Sequence, residues 1–345
     1  MNAVAVDGVL RVEISCLRST SESSIICFVS QVIQCVQYSH GTSYLEAYAG
    51  WEKSWKIVMA RRILFVLLFV AVNAEASDPL RTPVMSREPP AAGKRVWQQA
   101  AEYDGTEVYH VLYLPTDWQK GKKYPIIVEY TGNRFPAAAS SGEIKDANLG
   151  FGLSGGEGFI WICMPYIEQG GKVNALNWWG DREATINYCK TNLPRICQRF
   201  GGDSENLFIC GFSRGAIAVN FIGLADDEIA SFWKGFIAHD HYDGERRWSY
   251  EGSDRVSALK RLARLKGRPQ LICSNNMNER TKRYLEDHLQ LGEFTFLDVP
   301  VAELFTIPDE LAHVHTDLWM CIDSPQRQRA RNWLTQRLRE PKQIE

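Results

Sequence analysis

The sequence predicts an α/β fold: one domain on a mostly parallel sheet, with helices covering both faces. Three observations lead there. Runs such as Tyr124-Pro125-Ile126-Ile127-Val128-Glu129-Tyr130 and Leu207-Phe208-Ile209-Cys210 are continuously apolar rather than alternating, which suits strands buried on both sides. Helical stretches separate these runs, as crossovers between parallel strands require. No composition shift or linker marks a boundary inside 94–340.

The elements follow in order. Residues 77–93 hold Pro79, Pro83, Pro89 and Pro90 among small and polar residues and read as a flexible lead-in. Strands are expected at 108–115, at 124–130 after the polar turn 119–123, and at 158–164. Residues 181–200 read as a helix capped by Asp181, with Pro194 kinking or splitting it. A strand at 207–210 precedes a helix rich in small residues from 216 onward. Further strands are expected at 234–239, 270–273 and 294–299, with helical stretches at 255–266, 284–291 and 324–338.

Composition narrows the class. The 345 residues are 45% hydrophobic and 23% charged, with a net charge of −2. No basic patch with interleaved aromatics and no charge block is present, so neither a nucleic acid nor an anionic membrane surface is indicated as a partner. Met59-Ala60-Arg61-Arg62, the apolar stretch 63–72 and the small-residue ending Ala74-Glu75-Ala76 have the three parts of a secretory signal peptide. The apolar stretch is half of the ~20 residues a spanning helix needs. Cleavage after Ala76 would make the product secreted or periplasmic, without membrane attachment. Residues 1–58 then read as an over-extended gene model, with Met59 the true start, or as an unstructured extension.

Cys163, Cys210 and Cys273 fall in apolar runs, where cysteine acts as a small hydrophobe. Cys189, Cys197 and Cys321 are freer, and a disulfide among them is open in an exported protein. No cysteine cluster has metal spacing, so no structural metal is expected.

The richest motif is Gly211-Phe212-Ser213-Arg214-Gly215. Set between a strand and a helix, Gly-x-Ser-x-Gly is the nucleophile elbow of the α/β-hydrolases. The serine takes a strained conformation at a sharp turn, and side chains two residues to either side would collide with strand and helix.

With the elbow placed, residues 103–338 resemble esterase-type α/β-hydrolases, notably the polyhydroxybutyrate-depolymerase-like and feruloyl-esterase-like families. Three stretches carry the resemblance: Tyr113-Leu114-Pro115 with Lys123-Tyr124-Pro125; Gly201-Gly202-Asp203-Ser204-Glu205-Asn206-Leu207 leading into the elbow; and His313-Val314-His315-Thr316-Asp317. Two departures stand out. The family's His-Gly after its early strand is Thr131-Gly132 here, and the loop after 271–273 reads Ser274-Asn275-Asn276-Met277-Asn278-Glu279, without the usual aspartate.

The resemblance implies a cofactor-free serine hydrolase of carboxylic esters, with Ser213 as nucleophile. A serine peptidase of the same fold and a hydrolase-like binding protein without catalysis are the other readings. The base should follow late in the chain. His315, nearer the closing helix, is favoured over His313. The acid is ranked Asp240, which ends the strand at 234–239, then Asp243, then Glu279. Oxyanion donors would be the amide of Arg214 and that of Asn133 or Gly132. The Arg214 guanidinium would reach either the substrate or solvent. Trp178 and Trp179 would line a substrate groove for an ester carried on an extracellular polymer, or serve simple packing.

Overall fold

The computed structural model describes residues 4–6, 9–11, 80–275, 277–287, 293–304 and 315–343. The chain divides into two compact units, Met1–Glu75 and Ala76–Glu345. In the first, the described residues are strands β1 (Val4–Val6) and β2 (Val9–Arg11), paired antiparallel with Val6 opposite Val9. The strand pair stands in a stretch where the sequence had suggested no element. The leader at 59–76 lies outside the described residues.

The second unit is built on eight strands: β3 (Arg95–Gln98), β4 (His110–Tyr113), β5 (Tyr124–Tyr130), β6 (Ile160–Cys163), β7 (Gly202–Phe212), β8 (Gly235–His239), β9 (Gln270–Ser274) and β10 (Phe294–Asp298). They form one sheet in the order β10-β9-β8-β7-β5-β6-β4-β3. From β10 to β6 every pairing is parallel, while β4 and β3 complete one edge antiparallel. The helices are α1 (Leu149–Ser154), α2 (Arg182–Phe200), α3 (Arg214–Phe221), α4 (Asp227–Phe232), α5 (Arg255–Leu262), α6 (Asn278–Glu286), α7 (Val301–Leu304) and α8 (Pro325–Arg339).

The continuous apolar strands feed two cores. Ile126, Val128, Leu207, Ile209, Phe236 and Ala238 face one core, which α2 and α3 close. The alternate residues Ile127, Phe208, Cys210 and Ile237 face the other, closed by α1 and α8. Period-two alternation thus sends each strand's side chains to two helical layers, which is why the strands are mostly apolar on both faces.

Several local expectations change. Helix α2 runs through Pro194 unbroken, with Asp181 accepting from the Ala184 N–H at 2.9 Å as its cap, a contact worth ~1 kcal/mol. Pro194 is exposed, so water can serve the carbonyl that loses its N–H donor. The described part of the lead-in is docked rather than free: the Leu80 N–H bonds the Cys321 carbonyl at 2.9 Å, and Ser86 and Ala92 bridge to Val96 and Leu114.

Helix α1 was missed because Leu-Gly-Phe-Gly-Leu-Ser is a poor helix former. Its glycines answer to packing, since a Cβ on Gly150 would strike the Trp161 indole and one on Gly152 the Met320 side chain. Cys163, Cys189, Cys197, Cys210, Cys273 and Cys321 are all buried and free, so no disulfide joins Cys189, Cys197 or Cys321. Among the described residues no helix is long and apolar enough to cross a membrane.

Candidate active site

Strand β7 ends at Phe212 and α3 starts at Arg214, leaving Ser213 alone at the corner with φ 58° and ψ −117°. A side chain rarely tolerates that backbone region. The flanking glycines make the corner possible. A Cβ on Gly211 would run into the Gly215 backbone, and one on Gly215 into the Tyr130 carbonyl of β5. This is a nucleophile elbow, and with a mostly parallel sheet and helices on both faces the architecture is the α/β-hydrolase fold.

Parallel pairing sets Phe212 opposite His239, so Ser213 and Asp240 follow at the carboxyl ends of adjacent strands. Asp240 also has a positive φ, 72°, and its N–H bonds the Cys273 carbonyl at 2.9 Å. Its Oδ1 accepts from the Asn275 N–H at 2.8 Å, while its Oδ2 lies 3.0 Å from Nδ1 of His315. Burial alone would raise this carboxyl. The neighbouring His239 imidazole, the His315 hydrogen bond and the Asn275 N–H outweigh burial and hold it well below the usual carboxylate range, at about 2. With its proton on Nδ1, His315 donates to Asp240 and presents Nε2 as a lone pair. The imidazole packs on the Phe212 ring at 4.5 Å, next to the elbow.

The other candidates are employed elsewhere. Asp243 is fully buried in a two-pronged pair with Arg261 at 2.8 and 2.9 Å, and burial pushes its carboxyl up. Glu279 is exposed in the first turn of α6. Its neighbour Asn278 donates to Asp298 at 2.9 Å. His313 lies outside the described residues.

Arg214, as the first residue of α3, has an N–H without an intrahelical partner. Its guanidinium faces neither substrate nor solvent, in contrast to both expectations. It is 1% exposed and donates to the carbonyls of Trp178 at 2.6 Å and Gly132 at 2.8 Å. It also lies 3.9 Å from the centre of the Tyr166 ring. Burial pulls the guanidinium down to about 10. The side chain thereby clamps the loop after β5 to the turn at Trp178. Gly132 sits against the elbow, where an added Cβ would come 3.3 Å from Ser213 Cβ. The Asn133 side chain is occupied in accepting from the Trp178 N–H at 2.7 Å, so only its main chain could face a substrate.

Beside His315 opens a cleft of about 240 Å³, bordered by Thr131, Ser140, Glu143, Phe212, Thr316 and Leu318. The two tryptophans part company. Trp179 is 5% exposed and stacked on Phe221 at 4.6 Å, so it belongs to the core rather than to a groove. Trp178 is half-buried, with φ 47°, and meets Trp248 at 5.2 Å.

Sequence reasoning missed the company around the dyad. His241 lies 5.4 Å from His315 and 5.4 Å from Trp248. Wholly buried His239 touches Asp240 from behind, and Trp319 touches His239. The adjacency of His239, Asp240 and His241 in sequence was the available signal. Among the described residues no group of three or more His, Cys, Asp or Glu is placed to hold a metal ion.

No protein-family model matches the chain, and no curated protein matches it. Among solved structures it is similar to a thermostable esterase, with 14% identity and a TM-score of 0.41 over 70% of this chain and 62% of that one. The matched part is therefore less than two thirds of that esterase. It is also similar to an S-formylglutathione hydrolase from Agrobacterium tumefaciens, with 12% identity and a TM-score of 0.46 over 72% of this chain and 96% of that one. A third similar structure is a ferulic acid esterase from Anaeromyces mucronatus in complex with ferulic acid, with 18% identity and a TM-score of 0.43 over 64% of this chain and 86% of that one.

Proposed function

We propose that the protein is a serine hydrolase of carboxylic esters. The observation that carries the reading is the 3.0 Å contact between Asp240 and His315, on a ring packed beside an elbow serine held at positive φ. A serine hydroxyl is a weak nucleophile at neutral pH and needs a base that is itself oriented. His315 Nε2 would take the Ser213 proton as its oxygen attacks the ester carbonyl. Asp240 would hold the imidazole in the right tautomer and stabilise the imidazolium.

The main-chain N–H of Arg214, with one from Gly132 or Asn133, would receive the negative charge on the carbonyl oxygen. His315 would then protonate the departing alcohol. Water, deprotonated by the same base, would cleave the acyl-enzyme and free Ser213. Export by the leader at 59–76, together with the half-exposed Trp178, extends the reading to an ester borne on an extracellular polymer.

The absence of an aspartate from the loop after β9 suggested a binding protein without catalysis. Asp240, at the end of β8 and 3.0 Å from His315, supports catalysis over that reading. The test is Ser213→Ala on a panel of chromogenic acetyl to octanoyl esters. Turnover should fall on the order of 10⁶-fold, and labelling by a fluorophosphonate probe should vanish. An unlabelled wild-type protein that hydrolyses no ester would end the reading.

A further inference from the structure

The carboxylate of Asp240 stands between two imidazoles. Its Oδ2 is 3.0 Å from His315 Nδ1 and 3.6 Å from Nε2 of His239. His315 is partly open to solvent, whereas His239 is 0% exposed. Charge on His239 would act on Asp240 more strongly than charge on His315. A second ion pair behind the dyad would divert the acid from its base.

We propose that Trp319 is a positioning residue that keeps His239 from pairing with Asp240, so that the carboxylate serves His315 alone. The proposal rests on the assignment of Asp240 and His315 to catalysis. Its basis is the direction of one hydrogen bond. The Trp319 indole nitrogen lies 3.0 Å from His239 Nε2, the same atom that faces Asp240. An indole N–H can only donate, so Nε2 must accept with a lone pair and the proton must sit on Nδ1. A proton on Nε2 would set two N–H groups face to face at 3.0 Å.

Nδ1 of His239 has no hydrogen-bond partner among the described residues, so its proton is buried without an acceptor, a cost that the indole bond at Nε2 must offset. The same lack leaves an imidazolium with no acceptor at Nδ1. One face of the ring stacks on Phe212 at 5.4 Å, and the Trp319 ring lies 5.4 Å away. The Thr316 carbonyl, 3.4 Å from Nε2, is the one further acceptor that would favour a proton there, and the indole is closer. Among the described residues, the titratable groups around His239 are Asp240 on its own strand end, His241 one residue further, Cys273 beside it in register on β9, and Asp317 and His315 from the segment that carries Trp319. Burial pushes the Asp317 carboxyl up, weakening its pull on the ring. Trp319 is itself fully buried and follows His315 by four residues. One segment therefore brings both the base and the group that protects its acid.

The experiment is Trp319→Phe, which keeps a ring in the core and removes the N–H. With p-nitrophenyl acetate, kcat/KM should stay within about twofold of wild type at pH 9 and fall about tenfold at pH 6, moving the acid limb up by roughly one pH unit. Trp319→Phe/His239→Gln lacks the competing imidazole and should return the limb to its wild-type position.

In wild-type protein with ¹⁵N-labelled histidine, the long-range spectrum at pH 7 should show His239 protonated on Nδ1 alone. A proton on Nε2, or a Trp319→Phe profile that overlays wild type, would overturn the proposal. If Trp319→Phe fails to fold, the wild-type spectrum still decides. A wild type without esterase activity but with the Nδ1 proton would retire the proposed function and leave the lock on His239 standing.

Discussion

Ser213 and Asp240 share a backbone region that side chains rarely enter, with φ of 58° and 72° on adjacent strand ends. Each such conformation costs of order 1–3 kcal/mol and persists only where the surroundings enforce it. For Ser213 the enforcing groups are the packed glycines, and for Asp240 the bonds to Cys273 and Asn275. The turn at Asp240 also separates it from Asp243, three residues on. Only the first meets His315, while the second is sealed against Arg261. Asp240→Asn should therefore lower kcat about 10⁴-fold with little loss of stability. Asp243→Asn should do the reverse, breaking a buried pair for ~3–5 kcal/mol while a folded fraction turns over normally. Steady-state kinetics beside thermal melts distinguish them. A crippled Asp243→Asn enzyme with an intact melt, or a crippled Glu279→Gln enzyme, would move the acid elsewhere.

Among the elements, α3 and β5 approach so closely that the contact depends on Gly215. A Cβ there would overlap the Tyr130 carbonyl, and backbone cannot step aside as a flexible side chain can. Gly215→Ala should cost ~3 kcal/mol or more by overpacking. For a domain of this size that is a fall of about 6–12 °C in the melting temperature. An unchanged melt would mean that helix and strand are farther apart than described. Arg214 continues the same contact outward, tying the loop after β5 to the turn at Trp178 through main-chain carbonyls. A buried guanidinium with several acceptors suits this work because its donors fan out in a plane.

Across the whole molecule, buried titratable groups couple the two core layers to pH. His110 on β4 is buried, with Nδ1 2.8 Å from the Tyr188 hydroxyl of α2, and burial pulls it down to about 4. Between that value and the ordinary histidine value near 6.5 the unfolded chain binds a proton that the folded protein refuses. Stability from this group is complete above about 6.5 and drains away as the pH falls toward 4, by at most ~3 kcal/mol. Melting temperatures of wild type should consequently drop more steeply between pH 6.5 and 4 than those of His110→Gln. Parallel slopes would show that His110 is charged in the folded protein.

The sequence by itself determined the layered plan and the serine at the elbow. Continuous apolar runs mark strands buried on two faces, and a glycine-flanked serine between strand and helix has few other uses. These signals are local, written in a few consecutive residues. Asp240 could be ranked first because it directly ends a strand, yet its bond to His315 joins residues 75 apart. Only the tertiary structure decided what depends on distant neighbours. Arg214 and Trp179 are polar or amphipathic side chains whose burial follows from layers that close over them. Pro194 stays inside a helix because of which side faces water, and the glycines of α1 are explained by Trp161 and Met320, far along the chain. The pairing of Trp319 with His239 is of the same kind. A hydrogen bond between residues 80 apart leaves no trace in local pattern, because its geometry arises only when the segment after His315 docks on the end of β8.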